Sequence, residues 1–139
     1  MIMKAIHMGA ALMLLASPLK AAQPDAAVTP IFSSSMAANG QPLVFPQNQP
    51  QVRASIYEIP SGATLPEHRH FHLRYGYVLS GKLRVTYTEV GADHLYEPGD
   101  FIIEAIGQWH KAAPVGDEPV KLLVIDQAEK GENNVEIRK

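Results

Sequence analysis

The strongest constraint on the fold is a rhythm of turns. From position 51 onward the chain is interrupted by Pro60-Ser61-Gly62, Ser80-Gly81, Val90-Gly91, Pro98-Gly99-Asp100, Ile106-Gly107 and Gly116-Asp117-Glu118-Pro119. Proline fixes φ and glycine reaches φ > 0, so each of these is a place where an extended chain reverses. Only short apolar stretches lie between them, and none carries apolar residues at helical spacing. Strands are therefore expected over residues 52–59, 64–72, 75–79, 82–88, 94–96, 101–105, 109–113 and 120–126. A turn every 8–12 residues or so is the spacing of a β-sandwich or barrel. Leu83, Val85 and Tyr87 alternate with Lys82, Arg84 and Thr86, which gives that strand one core face and one wet face. The expected fold class is all-β.

At 139 residues, with 46% hydrophobic and 19% charged residues, the chain has material for one packed core and too little for two. Its first segment differs from the rest. Lys4 precedes an apolar run from Ala5 to Ala16, Ser17-Pro18 breaks it, and Ala21-Ala22 offers a small-residue cleavage site. Those are the three regions of a secretory signal peptide over residues 1–21. The run is too short for the ~20 apolar residues a membrane span needs, so no integral membrane association is expected after cleavage. The alternative is an uncleaved N-terminal helix. Export predicts a periplasmic or secreted protein.

Residues 22–50 carry five prolines, at 24, 30, 42, 46 and 50, and three consecutive serines, so they read as an extended lead-in. The domain proper is placed at 51–127. Residues 128–139 are polar, with Gly131 and Asn133-Asn134, and are expected to form a flexible tail.

Charge and cysteine count exclude several functions. The 12 basic and 14 acidic residues include no long basic run, so nucleic acid is not an expected partner. Removing residues 1–21 takes away Lys4 and Lys20 and leaves a formal charge of −4. With no cysteine there is no disulfide, thiolate site or Cys nucleophile, and a metal could be held only by histidine and carboxylate. Neither a phosphate-binding glycine loop nor a Ser-His-Asp spacing is present.

The chemistry points instead to His68, His70 and His72, at alternate positions of Pro66-Glu67-His68-Arg69-His70-Phe71-His72. In a strand, alternate residues project from one face, so the three imidazoles could converge on a metal ion. A solvated strand face reads the same way in isolation. Context is supplied by Gly62 upstream, Tyr77-Val78-Leu79-Ser80-Gly81 downstream, then Pro98-Gly99-Asp100 and His110. This order and spacing resemble the two sequence motifs of the cupin superfamily, over residues 52 to 126. The resemblance implies a small jelly-roll β-barrel in which His68, His70 and His110 point inward at one divalent metal.

The chain departs from the family pattern at one place. Where a glutamate is expected after the second histidine, it has Arg74-Tyr75. His72 is in phase to replace the missing donor, and an all-histidine set suits Zn or Cu. Glu104, among Ile102, Ile103, Ala105 and Ile106, could instead restore a carboxylate, as non-haem Fe uses; Mn completes the candidate metals. Arg74 is in phase with the histidines and, pointing inward, would repel a cation or bind an anionic ligand. Were Arg74 to exit to solvent, Tyr75 would turn in.

Glu104 and Tyr75 are the candidate acid–base residues. Trp109 is expected as core or pocket wall, Tyr77 and Tyr87 as core or cavity lining, and His94 as exposed. By resemblance the function is a metal-dependent oxygenase, isomerase or decarboxylase acting on a small molecule. The alternative is a non-catalytic binder of a small ligand or metal. The lead-in could pair across a homodimer.

Overall fold

The computed structural model describes residues 25–139. The expected signal peptide lies outside the described residues. Nine strands follow the lead-in: β1 (Pro50–Ile59), β2 (Leu65–Arg69), β3 (Arg74–Ser80), β4 (Leu83–Tyr87), β5 (Ala92–Tyr96), β6 (Phe101–Glu104), β7 (His110–Pro114), β8 (Val120–Glu129) and β9 (Glu136–Ile137). No helix occurs among the described residues.

The strands form two sheets, ordered β1-β8-β3-β6 and β5-β4-β7-β2-β9, with antiparallel pairing throughout. Their inner faces close on one core. Ile59, Val78, Ile102, Val120, Leu122 and Val124 come from the first sheet, and Leu83, Val85, Tyr87 and Ala112 from the second. Period two does the sorting: Leu83, Val85 and Tyr87 are buried while Lys82 and Arg84 are exposed. This is the all-β class the turn rhythm implies, arranged as the jelly-roll barrel that the cupin resemblance implies.

The β3–β4 connection shows how tightly the turns are specified. Gly81 has φ +73°, and a Cβ there would collide with the carbonyl oxygen of Pro119. Only glycine accommodates both the backbone angle and the neighbour.

The described part of the lead-in doubles back at residues 36–42, where Met36 bridges Pro42, and it is tied to β6 by a bond from Ala38 N to Ile103 O at 2.8 Å. Ala37 packs with Leu73, Ile103 and Ala105 in a second, smaller cluster. The Glu129 carboxylate accepts the backbone N–H groups of Gln47, Asn48 and Gln49 at 2.9, 3.1 and 2.6 Å.

The C-terminal residues correct an expectation. Residues 128–139 were expected to be loose on composition, yet Ala128 and Asn134 are buried and β9 pairs with β2. Side chains reinforce that short ladder. Arg69 pairs with Glu136 at 2.6 Å, and Arg138 with Glu67 at 2.8 Å. Both guanidiniums lie over Trp109, with Cζ atoms 4.8 and 5.2 Å from its ring centroid. Composition reports what a segment cannot bury by itself, and this one borrows its partners from β2 and from Trp109.

Candidate metal centre

At one end of the barrel the inward positions turn polar. His68, the next-to-last residue of β2, lies opposite His110 at the start of β7, and the two are register partners. His70 follows just past β2, where its backbone bridges to Ile106. Glu104 closes β6. The four side chains bring one donor atom each to within 4.8 Å of one another. Their burial is nearly complete: His70 is 0% exposed, His110 2% and His68 7%.

Backbone carbonyls set the orientation of all three rings. His68 Nδ1 donates to Pro66 O at 2.7 Å, His70 Nδ1 to Asn134 O at 2.9 Å and His110 Nδ1 to Gln108 O at 2.9 Å. A carbonyl oxygen only accepts, so each Nδ1 carries the proton and each Nε2 keeps its lone pair toward the cluster. Metal-binding imidazoles use this same device.

The donors face a shared point, not each other. Glu104 Oε2 lies 2.6 Å from His70 Nε2 and 3.5 Å from His110 Nε2, yet none of these three buried atoms has a partner with hydrogen-bond geometry. Close approach without alignment is what a cation would resolve, since it needs lone pairs aimed at its own position. Burial pushes the His68 imidazole down to about 4, which keeps it a neutral donor. Burial alone would raise the Glu104 carboxyl, but the imidazoles of His110 and His70 hold it well below its usual range. Burial also opposes charge on His110, and the neighbouring Glu104 outweighs it and raises that group. Three nitrogens and one anionic oxygen in a dry pocket fit a divalent transition metal.

The carboxylate reaches the cluster by an unexpected route. Arg74 on β3 and Glu104 on β6 are direct register partners. The anion missing from the first motif is thus supplied by the adjacent strand, one rung across.

Arg74 points inward as the first residue of β3, in phase with Gly76 and Val78, and is 5% exposed. It does not stand as a bare cation against the cluster, because its Nε and Nη2 bond Asp126 Oδ1 and Oδ2 at 2.8 and 3.0 Å. Asn134 locks this pair and the cluster together. Its Nδ2 donates to Asp126 Oδ1 at 2.7 Å, while its Oδ1 accepts the N–H groups of Phe71 at 3.1 Å and His72 at 2.7 Å. Asp126 was legible in principle, since it continues the inward phase of Val120, Leu122 and Val124, where a charge demands a partner. Asn134 had no such signal.

Two expected site residues lie elsewhere. His72 is not with the other histidines: β2 ends at Arg69, a bend at 71–72 breaks the period of two, and its Nε2 faces Glu132 at 2.7 Å on the surface. Tyr75 faces away from the barrel interior, because Arg74 takes the inward position; its hydroxyl donates to Gln127 at 2.9 Å. His94 is exposed, as expected.

The family described as Cupin domain matches residues 55–126, half of the chain. This chain is a cupin. Solved structures similar to this cupin include the DMSP lyase DddQ from Ruegeria pomeroyi DSS-3, at 22% identity and TM-score 0.53 over 62% of this chain and 42% of that one. The polyketide cyclase RemF from Streptomyces resistomycificus matches at 20% identity and TM-score 0.55, covering 65% and 61% of the two chains. Bacillus subtilis oxalate decarboxylase, whose structure is described by its Mn(II) centres, matches at 23% identity and TM-score 0.53, covering 62% and 23%. This cupin thus spans less than two thirds of each of these chains, and at such identities the likeness shows the fold alone. No curated protein matches it.

Proposed function

We propose that this cupin binds one divalent cation through His68, His70, Glu104 and His110 and uses it to hold a small organic molecule. The observation that carries this is the convergence of four buried donor atoms, three of them with their lone pairs fixed inward by backbone carbonyls. A bound cation would supply Lewis acidity or redox chemistry, according to whether it is Zn or one of Mn, Fe and Cu. Glu104 belongs to the donor set and is not a free acid–base group. Asn134 holds His70 in place through its backbone carbonyl, and Asp126 pairs the Arg74 cation beside the cluster.

Between enzyme and binder, one observation favours the binder. Tyr75 is turned away and Glu104 is engaged, so neither expected acid–base residue is free beside the cluster. The signal-like residues 1–21 support export, and a periplasmic or secreted location is part of the proposal. Metal analysis of the purified protein tests the main claim: about one equivalent in the wild type and none in His68→Ala or Glu104→Ala supports it. A wild type that takes up no Zn, Mn, Fe or Cu overturns it. Turnover of small acids or phenols, or O₂ uptake, by the loaded protein would favour the enzyme. The mass of the mature N-terminus in an export fraction reads the cleavage.

A further inference from the structure

Arg74 is nearly buried and spends two of its five N–H donors on Asp126. The other three form no hydrogen bond among the described residues, and Nη1 is not closed off from solvent. Arg74 lines a cavity of about 150 Å³. Its walls are Tyr57, Leu65, Val135 and Ile137, and His68 of the donor cluster also lines it. The Arg74 Cζ lies 5.8 Å from the centroid of the Tyr57 ring, which closes that side. The space is therefore apolar except at one edge, where a guanidinium and a cluster imidazole stand together.

Charge decides what suits that edge. Glu104 and Asp126 are two anions against the Arg74 cation, so the metal-free pocket carries a net negative charge. A dication at the cluster reverses this and leaves one positive charge uncompensated. One monoanion would complete the balance.

We propose that the cavity binds a small monocarboxylate with a compact apolar body, its carboxylate accepting from the free edge of Arg74 and its body against Tyr57, Leu65 and Val135. The cavity equals about five waters of liquid volume, which matches a body of three or four carbons. This inference rests on the metal reading above, which supplies the positive charge.

The test is calorimetric titration of the full-length protein, with and without zinc, using isobutyrate, isobutyramide and malonate as probes. Zinc-loaded protein should bind one isobutyrate, and metal-free protein should bind it about tenfold or more weakly. Isobutyramide should lose a similar factor for want of charge, and malonate for want of an apolar body. Arg74→Gln should weaken isobutyrate about tenfold or more. Because that change strands Asp126, Val135→Phe provides a second arm: it fills the cavity, leaves the ion pair intact, and should abolish isobutyrate uptake while zinc stoichiometry stays the same. Zinc uptake without isobutyrate uptake overturns this inference alone. A protein that takes up no zinc overturns the metal reading and this inference with it. Malonate or isobutyramide binding as tightly as isobutyrate would overturn the assignment of ligand class.

Discussion

The two ends of the barrel interior are built on the same strands with the same period of two, yet they do opposite work. Toward one end, Val78, Leu83, Val85, Val120 and Leu122 fill the space between the sheets with side chains that need no partner. Toward the other, β3, β6, β7 and β8 continue the same inward phase with Arg74, Glu104, His110 and Asp126. The apolar end stabilises by removing surface from water. The polar end gains little from burial and must satisfy each group by geometry, so it is held by the stability the other end supplies. Binding capacity and folding energy are thus separable along a single strand.

The largest effect that could break this separation is loss of a donor. His110→Ala should lower metal affinity more than about 100-fold, beyond the range of outer-shell changes, while the metal-free variant melts cooperatively. A variant that fails to fold would mean the polar end is part of the stabilising core. Next, Leu122→Ala should cost about 2–5 kcal/mol in urea unfolding, with unchanged metal stoichiometry in the folded protein. Zinc at about 100 times its dissociation constant should then stabilise the wild type by about 2.7 kcal/mol, and His110→Ala by almost nothing.

A pH series sharpens the contrast further. Burial raises the Asp126 carboxyl, but Arg74 and Asn134 outweigh it and hold the group below its ordinary 3.8. A depressed carboxylate contributes stability fully above its unfolded value and loses it as pH falls through the folded one. The metal-free wild type should therefore lose stability progressively below about pH 4. Asp126→Asn should start lower and lose less over the same range. The smallest effect is expected at His72→Ala, which removes an exposed pair with Glu132 and should change stability by less than about 0.5 kcal/mol and metal binding not at all.

What was legible in the sequence follows the same division. The strands and turns were readable because local alternation and Gly/Pro punctuation report them directly. His68, His70 and His110 were readable from spacing and resemblance. Glu104 was visible only as one of several options, since its place depends on a cross-strand register with Arg74 that no local pattern encodes. His72 misled for the converse reason: its phase was right, but the strand ended at Arg69, three residues too soon. The role of Asn134 could not be read at all, because it is made by a two-residue ladder between segments far apart in the chain.

The carbonyls of Pro66, Gln108 and Asn134, which fix the tautomers of the three imidazoles, have a consequence of their own. They belong to the main chain, so exchanging the side chains of those three residues deletes none of them. Anyone grafting this centre onto another scaffold would need to copy the path of the polypeptide around each histidine as well as the four donor identities.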